Sequence, residues 1–532
     1  MAAIIPMRID LATTTPESPL HGDVAIIGSG AAGQAIARRL IEQGKSVILI
    51  ESGGIDHEKS VADMNAGESV GEKYYPLDHA RLRFFGGTTA IWGGRCARLD
   101  PVDYRSRDHV PHSGWPIDEH MLEPYLAQAE RQLGIAVPPG KRPPPDRLLV
   151  ALSDHGVDPL WWRFDGRFDR FGHEAALDLF DHPACTILLH ATVREIRLSA
   201  DAARVEALEV VSQGGANVAI HATHYVLAAG GIENPRLLLA SNSVASAGIG
   251  NGHDLVGRFF MEHPHGRGGR ITGNKAWAWL TAFSKRLQDG LLWAPALRLS
   301  EEQQRRRGIL NSALTIAARR PKGATLPVAK RLYLKTKHNT APTKFGRTLW
   351  QATKRSVRTY TRMTGPLHPY LQHRLGQLDI SLILRAEQSP NPDSRITLTG
   401  DRDAAGVPRV RLDWRLNRLD IESAKGLVAG LGEAVAAIGH GAVEATPWLA
   451  GEDWEFDDLV SAHPIGGFHH MGTTRMADSP SQGVTDGWGR VHGLPNLYIA
   501  GSSLFPTGGW ANPTLTIIAL ALRTADRIAD EL

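Results

Sequence analysis

Asp23-Val24-Ala25-Ile26-Ile27 is a short apolar run of β-prone residues that stops at Gly28. From Gln34 to Gln43 the Ala, Ile and Leu positions recur at helical spacing, and Gly44 ends the run. Ser46 to Ile50 is again β-prone and apolar, with Glu51 at its end. The pattern predicts a βαβ unit over 23–51. Further strands are predicted over 186–189, 193–198, 207–211 and 223–228, the last running into Ala229-Gly230-Gly231-Ile232-Glu233-Asn234-Pro235 and a helix through Leu237 to Ala240. Helices are predicted over 118–133, over 418–438 with Gly439 as its stop, and over 514–532 with Asn512-Pro513 as its cap. Strands at 378–385, 394–398 and 407–412 fall in a region of different character, from about 266 to 449. Residues 100–104 and 113–118 carry turn signals, and Pro138 to Pro145 reads as a Pro-rich linker. No internal repeat interrupts this order.

At 532 residues the chain is longer than one core sustains, roughly 250–300 residues. Its only cysteines, Cys96 and Cys185, cannot build a disulfide framework or a multi-thiolate metal site. The expectation is a reducing, cytoplasmic setting and no metal. Residues 1–20 hold Arg8, Asp10 and Glu17 and no apolar run of signal length, so no secretory leader is expected. No uncharged apolar stretch is long enough to span a bilayer. The net charge of +3 conceals an asymmetry: from Gln303 to Leu378 there is no acid and there are seventeen Lys and Arg, leaving the rest of the chain acidic. Such a block is a solvated face or subunit contact, or a docking site for an anionic partner such as an acidic electron-transfer protein or a membrane surface. Nucleic acid is not the expected partner.

The chemistry concentrates at the junctions. Gly28-Ser29-Gly30-Ala31-Ala32-Gly33 stands between strand and helix, where Gly28 permits the turn, Gly30 lets backbone approach a pyrophosphate, and Gly33 lets helix and strand pack closely. The helix N-terminus offers its partial positive charge to the phosphates, and Glu51 is placed to bind ribose hydroxyls. Arg83 to Arg95 forms a Gly/Thr loop with aromatics, suited to lie along a flavin or to be a flexible loop. Near the end, Gly466-Gly467-Phe468-His469-His470-Met471-Gly472-Thr473-Thr474 puts two histidines in a Gly/Thr loop, and Asn512 follows about forty residues later. A His beside an amide suits proton abstraction from a hydroxyl, and equally suits a buried His bonded to backbone. Trp92, Trp115 and Trp510 lie near these motifs, either as core or as faces on which a sugar stacks.

These motifs together resemble the glucose-methanol-choline (GMC) oxidoreductases, FAD-dependent enzymes that oxidise alcohols, and the likeness runs end to end. Within that family the chain is most similar to the bacterial sugar and glycoside 3-oxidase or 3-dehydrogenase branch and to pyranose 2-oxidase, through Ser113 to Ile117, Gly257 to His263, Gln388 to Arg395 and Arg411 to Trp414. The resemblance implies an α/β fold with a Rossmann-type FAD domain (1–100, 184–265 and 456–532) and an α+β substrate domain on an antiparallel sheet (101–183 and 266–455), carrying a basic insertion at 303–378. It assigns His469 as the catalytic base and Asn512 as its partner, with His470 pointing elsewhere. It assigns the cofactor to Gly28, Ser29, Gly30, Ala31, Ala32, Gly33, Glu51, Ser52, Arg83, Gly86, Gly87, Thr88, Trp92, Gly93, Gly94, Val193, Ala229, Gly230, Gly501, Ser502, Asn512, Pro513 and Thr514. Thr88-Thr89-Ala90-Ile91 holds no His of the kind that tethers the flavin in pyranose 2-oxidases, so FAD is expected non-covalently bound. The implied reaction removes a sugar or glycoside hydroxyl hydrogen pair, at C3 or C2, with dioxygen or a quinone or cytochrome as acceptor. A non-sugar alcohol, a non-redox lyase of the same fold and an NAD-linked dehydrogenase are the alternatives.

Overall fold

The computed structural model describes residues 7–138, 141, 143–144, 146–167, 169–325, 328, 342–461 and 463–532. The predicted βαβ unit forms as strand Leu20–Ile27, helix Ala31–Glu42 and strand Val47–Ile50. Its four apolar strand residues Val24 to Ile27 and all of Val47 to Ile50 are buried, because helices cover one face and further chain covers the other. Around it an eight-stranded sheet runs in the order 7–10, 185–189, 47–50, 20–27, 217–227, 205–211, 192–198, with 497–499 also paired to 217–227. Its central pairs are parallel, so the ends of 20–27, 217–227 and 497–499 arrive together at one edge. The C-terminal helix Thr514–Glu531 packs on Ala31–Glu42 and on Glu119–Gln132.

A second eight-stranded sheet, antiparallel throughout, is ordered 442–445, 265–272, 379–385, 313–319, 291–299, 157–164, 95–96, with 286–288 on 291–299. The helix Arg418–Ala437 covers one face, and Leu297, Leu314, Leu382 and Leu384 are buried there with Leu427, Val428 and Leu431. The predicted strands at 394–398 and 407–412 form as 395–402 and 408–414, but in a separate three-stranded sheet with 67–71. Residues 139, 140, 142 and 145 of the expected linker, and 326–327 and 329–341 of the basic segment, lie outside the described residues.

One predicted feature is corrected. The C-terminal helix has Pro513 at its N-cap and no side-chain cap, so Asn512 does not cap it. The Asn512 amide points instead at His469.

Candidate active site

A cleft lies at the strand ends of the first sheet and begins at the first glycine turn. A Cβ on Gly33 would stand 1.9 Å from the Gly28 carbonyl oxygen, so Gly33 serves the helix–strand contact. Gly230 and Gly501 close the ends of the neighbouring strands with φ of +90° and +118°, and a Cβ on either would meet nothing within 4 Å. These backbones border open space where a side chain would intrude on a ligand. The cleft encloses about 1150 Å³ of empty space, part of it open to solvent, lined by residues from Gly28 to Ala32, by Glu51 and Ser52, by Gly87 and Thr88, and by Val193, Ala229, Gly230, Gly501 and Ser502. Helix Ala31–Glu42 has no side-chain cap, though Thr89 Oγ1 accepts from Ala31 N at 3.1 Å.

Glu51 is buried, with one carboxylate oxygen accepting from Ser29 Oγ at 2.6 Å and the other from Gly53 N at 3.0 Å. Ser29 Oγ in turn accepts from Gly86 N at 3.0 Å, which ties the 86–94 loop to the first turn. Arg83 reaches Ser52 Oγ at 2.8 Å and Glu233 at 2.7 Å. Trp92 keeps its indole N–H buried without a partner. Open glycine backbones, an uncapped helix N-terminus and an acid at the second strand end fit the dinucleotide FAD.

One β-bridge brings His263 to His469. Met261 and Met471 exchange both backbone hydrogen bonds at 3.0 Å in antiparallel register. That register places residue 263, two beyond, on the same side as residue 469, two before. Their rings meet: His263 Nδ1 lies 2.8 Å from His469 Nδ1. Gly472, at φ +86°, lets the chain pass Phe259, whose carbonyl oxygen would lie 2.2 Å from a Cβ there. Phe468 precedes His469 at φ +60°, a conformation that costs a non-glycine residue about 1–3 kcal/mol. Glu262 holds that turn, accepting from the backbone N–H of Gly467, His469 and His263 at 3.2, 2.9 and 2.9 Å.

Proton positions follow from the acceptors. His263 Nε2 faces the Gly508 carbonyl at 3.4 Å, and a carbonyl only accepts, so Nε2 carries the hydrogen. His263 Nδ1 is then an acceptor, and His469 Nδ1–H donates to it. This leaves the lone pair of His469 on Nε2, where Asn512 Nδ2 donates at 3.2 Å. Burial, then the charges of His263, His265 and Arg385, holds His469 well below the usual imidazole value. Burial also pushes His263 down to about 4. Both rings are neutral at pH 7, and the unprotonated nitrogen of His469 is Nε2, where the Asn512 amide stands in the place an entering hydroxyl would take. His470 turns the other way: its Nε2–H donates to Tyr74 Oη at 2.9 Å, and Tyr74 donates to Glu262 at 2.9 Å. Burial pushes Glu262 up to about 7.

The structure thus brings His469 and Asn512 together and places the turn, strand-end and Gly501-Ser502 residues around one cleft. Gly33 and Gly86 act through packing and the loop tie. Trp92, Gly93, Gly94, Pro513 and Thr514 do not line the cleft as described. Trp115 is core, its indole donating to Thr507 Oγ1 at 2.8 Å. Trp510 donates to Asp100 at 2.6 Å and sets its edge on Trp162 at 5.5 Å. His470 does line the cleft. Glu262, His263 and Tyr74 contact the two histidines or their turn and carry no assignment from the sequence. The one available signal was Glu262-His263-Pro264-His265, three titratable groups in four residues. Among the described residues no cluster of His, Cys, Asp and Glu could hold a metal ion.

Comparison with known proteins agrees with this geometry. Residues 390–521 match the GMC oxidoreductase C-terminal family, and residues 23–243 match the FAD dependent oxidoreductase family. The chain is 27% identical to 2-methyl-1,2-propanediol dehydrogenase of Mycolicibacterium austroafricanum over 95% of each chain. It is 27% identical to paromamine 6'-oxidase of Streptomyces fradiae, over 96% of this chain and 92% of that one. A solved structure, pyridoxine 4-oxidase from Mesorbium loti, superposes with a TM-score of 0.58 at 18% identity over 95% of this chain and 99% of that one, which shows a shared fold. With the glycine cleft, the His469–Asn512 pair and both family matches in one chain, the protein belongs to the GMC oxidoreductases, FAD-dependent enzymes acting on CH–OH groups.

Proposed function

We propose that the enzyme oxidises a hydroxyl of a sugar or glycoside, at C3 or C2, to the ketone. The observation that carries this reading is the His469 Nε2 lone pair, held 3.2 Å from the Asn512 amide while Nδ1 is tied to His263. A hydroxyl entering there gives its proton to Nε2 and accepts from Asn512, which fixes the direction of its C–H bond. Base assistance of this kind is worth about 10²–10⁴ in rate, with positioning in addition. FAD, when bound, takes up the hydride at N5. The sugar reading draws support from the stretches 113–117, 257–263, 388–395 and 411–414, and from the relative acting on paromamine. The relative acting on a propanediol favours a second reading, a non-sugar alcohol oxidised by the same residues.

Anaerobic mixing of the holoenzyme with monosaccharides, glycosides and short diols, followed at the flavin band near about 450 nm, separates these. Bleaching by a sugar, lost in His469→Ala, is the expected result, and admitting air then distinguishes dioxygen from a quinone or cytochrome as acceptor. Bleaching by diols alone gives the second reading; bleaching by neither overturns the redox role.

FAD is held non-covalently, because Thr88-Thr89-Ala90-Ile91 offers no side chain for a flavin bond. Acid precipitation should release yellow cofactor into the supernatant; colour retained in the pellet refutes this. The acid-free segment docks an acidic electron acceptor or an anionic membrane surface. Its helix Lys344–Thr364 exposes Phe345 and Met363, 73% and 83% accessible, beside its basic residues. Acceptor turnover should fall at raised salt, and salt-indifferent turnover refutes the docking role.

A further inference from the structure

The register dictates what stands on the face of the second sheet opposite helix Arg418–Ala437. Residues paired across antiparallel strands share a face. His265 pairs with Arg385, Arg385 with Ala313, Ala294 with Trp162, Ala296 with Leu160, and Phe164 with Arg95. Leu297 pairs with Leu314 on the covered face, so Ala296 and Ala313 stand together on the other. Between the two arginines the sheet therefore presents only the small side chains of alanines. The face lies beside the reacting groups. The Trp162 ring meets Trp510, two residues before Asn512, and the charge of Arg385 acts on both His263 and His469.

Both guanidinium groups reach the Trp162 indole, Arg95 at 4.6 Å and Arg385 at 5.8 Å from its centre. Among the described residues neither pairs with a carboxylate. Arg385 donates to His265 Nε2 at 2.8 Å, and its Nε is buried with no partner. His265 is neutral and fixed for this task, since its Nδ1 donates to the His463 carbonyl at 2.7 Å. Neighbouring arginines are treated otherwise: Arg107 forms a bidentate pair with Glu387, Arg267 pairs with Asp457, and Arg298 with Asp100. A buried guanidinium without an acid is costly. Two reaching one indole, with the charge of Arg95 acting on Arg385, are tolerated where an anion arrives to join them.

We propose that Arg385 and Arg95 bind an oxyanion, a carboxylate or a phosphate, carried by the hydroxyl substrate. The substrate is then an acidic alcohol, its charged end over the alanine floor and its carbinol at His469 and Asn512. This rests on the alcohol-oxidation reading and narrows it.

Calorimetric titration of the FAD-loaded enzyme tests the site without turnover. The probes are acetate, inorganic phosphate, D-glucuronate and D-glucose 6-phosphate, with D-glucose as the neutral reference. The oxyanions are expected to bind about tenfold to a hundredfold more tightly than D-glucose. The advantage should vanish in Arg385→Gln, shrink in Arg95→Gln and persist in part in Arg385→Lys, each variant checked for its flavin spectrum. The carboxylate and phosphate arms say which group the site prefers. Equal binding of charged and neutral probes, or an oxyanion preference that survives Arg385→Gln, overturns the proposal. Arginine-dependent oxyanion binding with no bleaching by any sugar would leave this site standing and remove the sugar reading; bleaching by neutral sugars alone would do the reverse.

Discussion

At the wall of the cofactor cleft Glu233 takes three guanidinium partners, Arg83 at 2.7 Å, Arg236 at 2.8 Å and Arg81 at 3.3 Å, and Arg236 pairs again with Asp403 at 2.6 Å. Across the active site, Arg385 has only the neutral His265 and the Trp162 ring among the described residues. Both groups are buried, yet one network is closed and the other is open. The closed network has its own acids, so it serves the fold with or without a ligand. The open one carries charge that the protein itself does not neutralise. The arginines around Glu233 hold its carboxyl well below the usual carboxylate range, whereas burial and the charges of Arg95 and Arg319 hold Arg385 well below the usual arginine value. Both shifts make stability rise with pH, but at neutral pH the two contributions have opposite signs. Glu233 contributes stability that is present above its unfolded value near 4.5 and is lost as pH falls. Arg385 in its charged form subtracts stability at neutral pH.

The largest expected effect breaks the closed network. Glu233→Ala leaves three buried guanidinium groups without their shared acid and should cost about 3–5 kcal/mol, read as a lowered denaturation midpoint or loss of soluble protein. Arg385→Gln, by contrast, should leave the midpoint unchanged or raise it. A large loss of stability in Arg385→Gln would mean that the second sheet is closed by its own contacts, and the contrast would collapse.

The same division runs through what the sequence discloses. The βαβ unit is local: two continuous apolar runs, a helical run and glycines within thirty residues determine it, and strand 20–27, helix 31–42 and strand 47–50 follow the pattern closely. The second sheet is not local. Its strand His265–Thr272 reads His-Gly-Arg-Gly-Gly-Arg-Ile-Thr, with His265 and Arg267 buried through partners more than a hundred residues away, so no alternation marks it. Leu291–Leu299 contains Pro295, and Val157–Phe164 carries charges on both faces. At the active site, His469 and Asn512 were accessible through resemblance. His263 was not assigned, because its role comes from the Met261–Met471 bridge, a long-range pairing with no pattern in either segment.

A smaller effect probes the turn that carries the base. A Cβ on Gly467 would lie 2.5 Å from His469 Cε1 and 2.8 Å from its Nδ1. Gly467→Ala must therefore push the ring off His263 and Asn512. The rate of anaerobic flavin reduction should fall about 10²-fold, as for a displacement near 1 Å. FAD content and the denaturation midpoint should hold, since the glycine cleft and the Glu233 network are untouched. Loss of FAD instead would place Gly467 in the cofactor side of the molecule.

The smallest effect joins the two regions. With His469 as the proposed neutral base and its pKa lowered, flavin reduction should stay level from pH 8 down through 6.5 and decline only below it, where an unperturbed imidazole would already be half protonated. Arg385 is one of the charges that lowers it, after burial and the two histidines. Arg385→Gln removes that charge and should move the acid limb upward by less than about one pH unit, since a single charge in a partly polar interior contributes of that order. The limb should return toward its original position in Arg385→Lys. A limb unmoved in both variants would separate Arg385 from the base electrostatically and weaken its placement at the substrate's charged end. A limb that shifts downward would reverse the sign, because only loss of a negative charge near His469 acts in that direction.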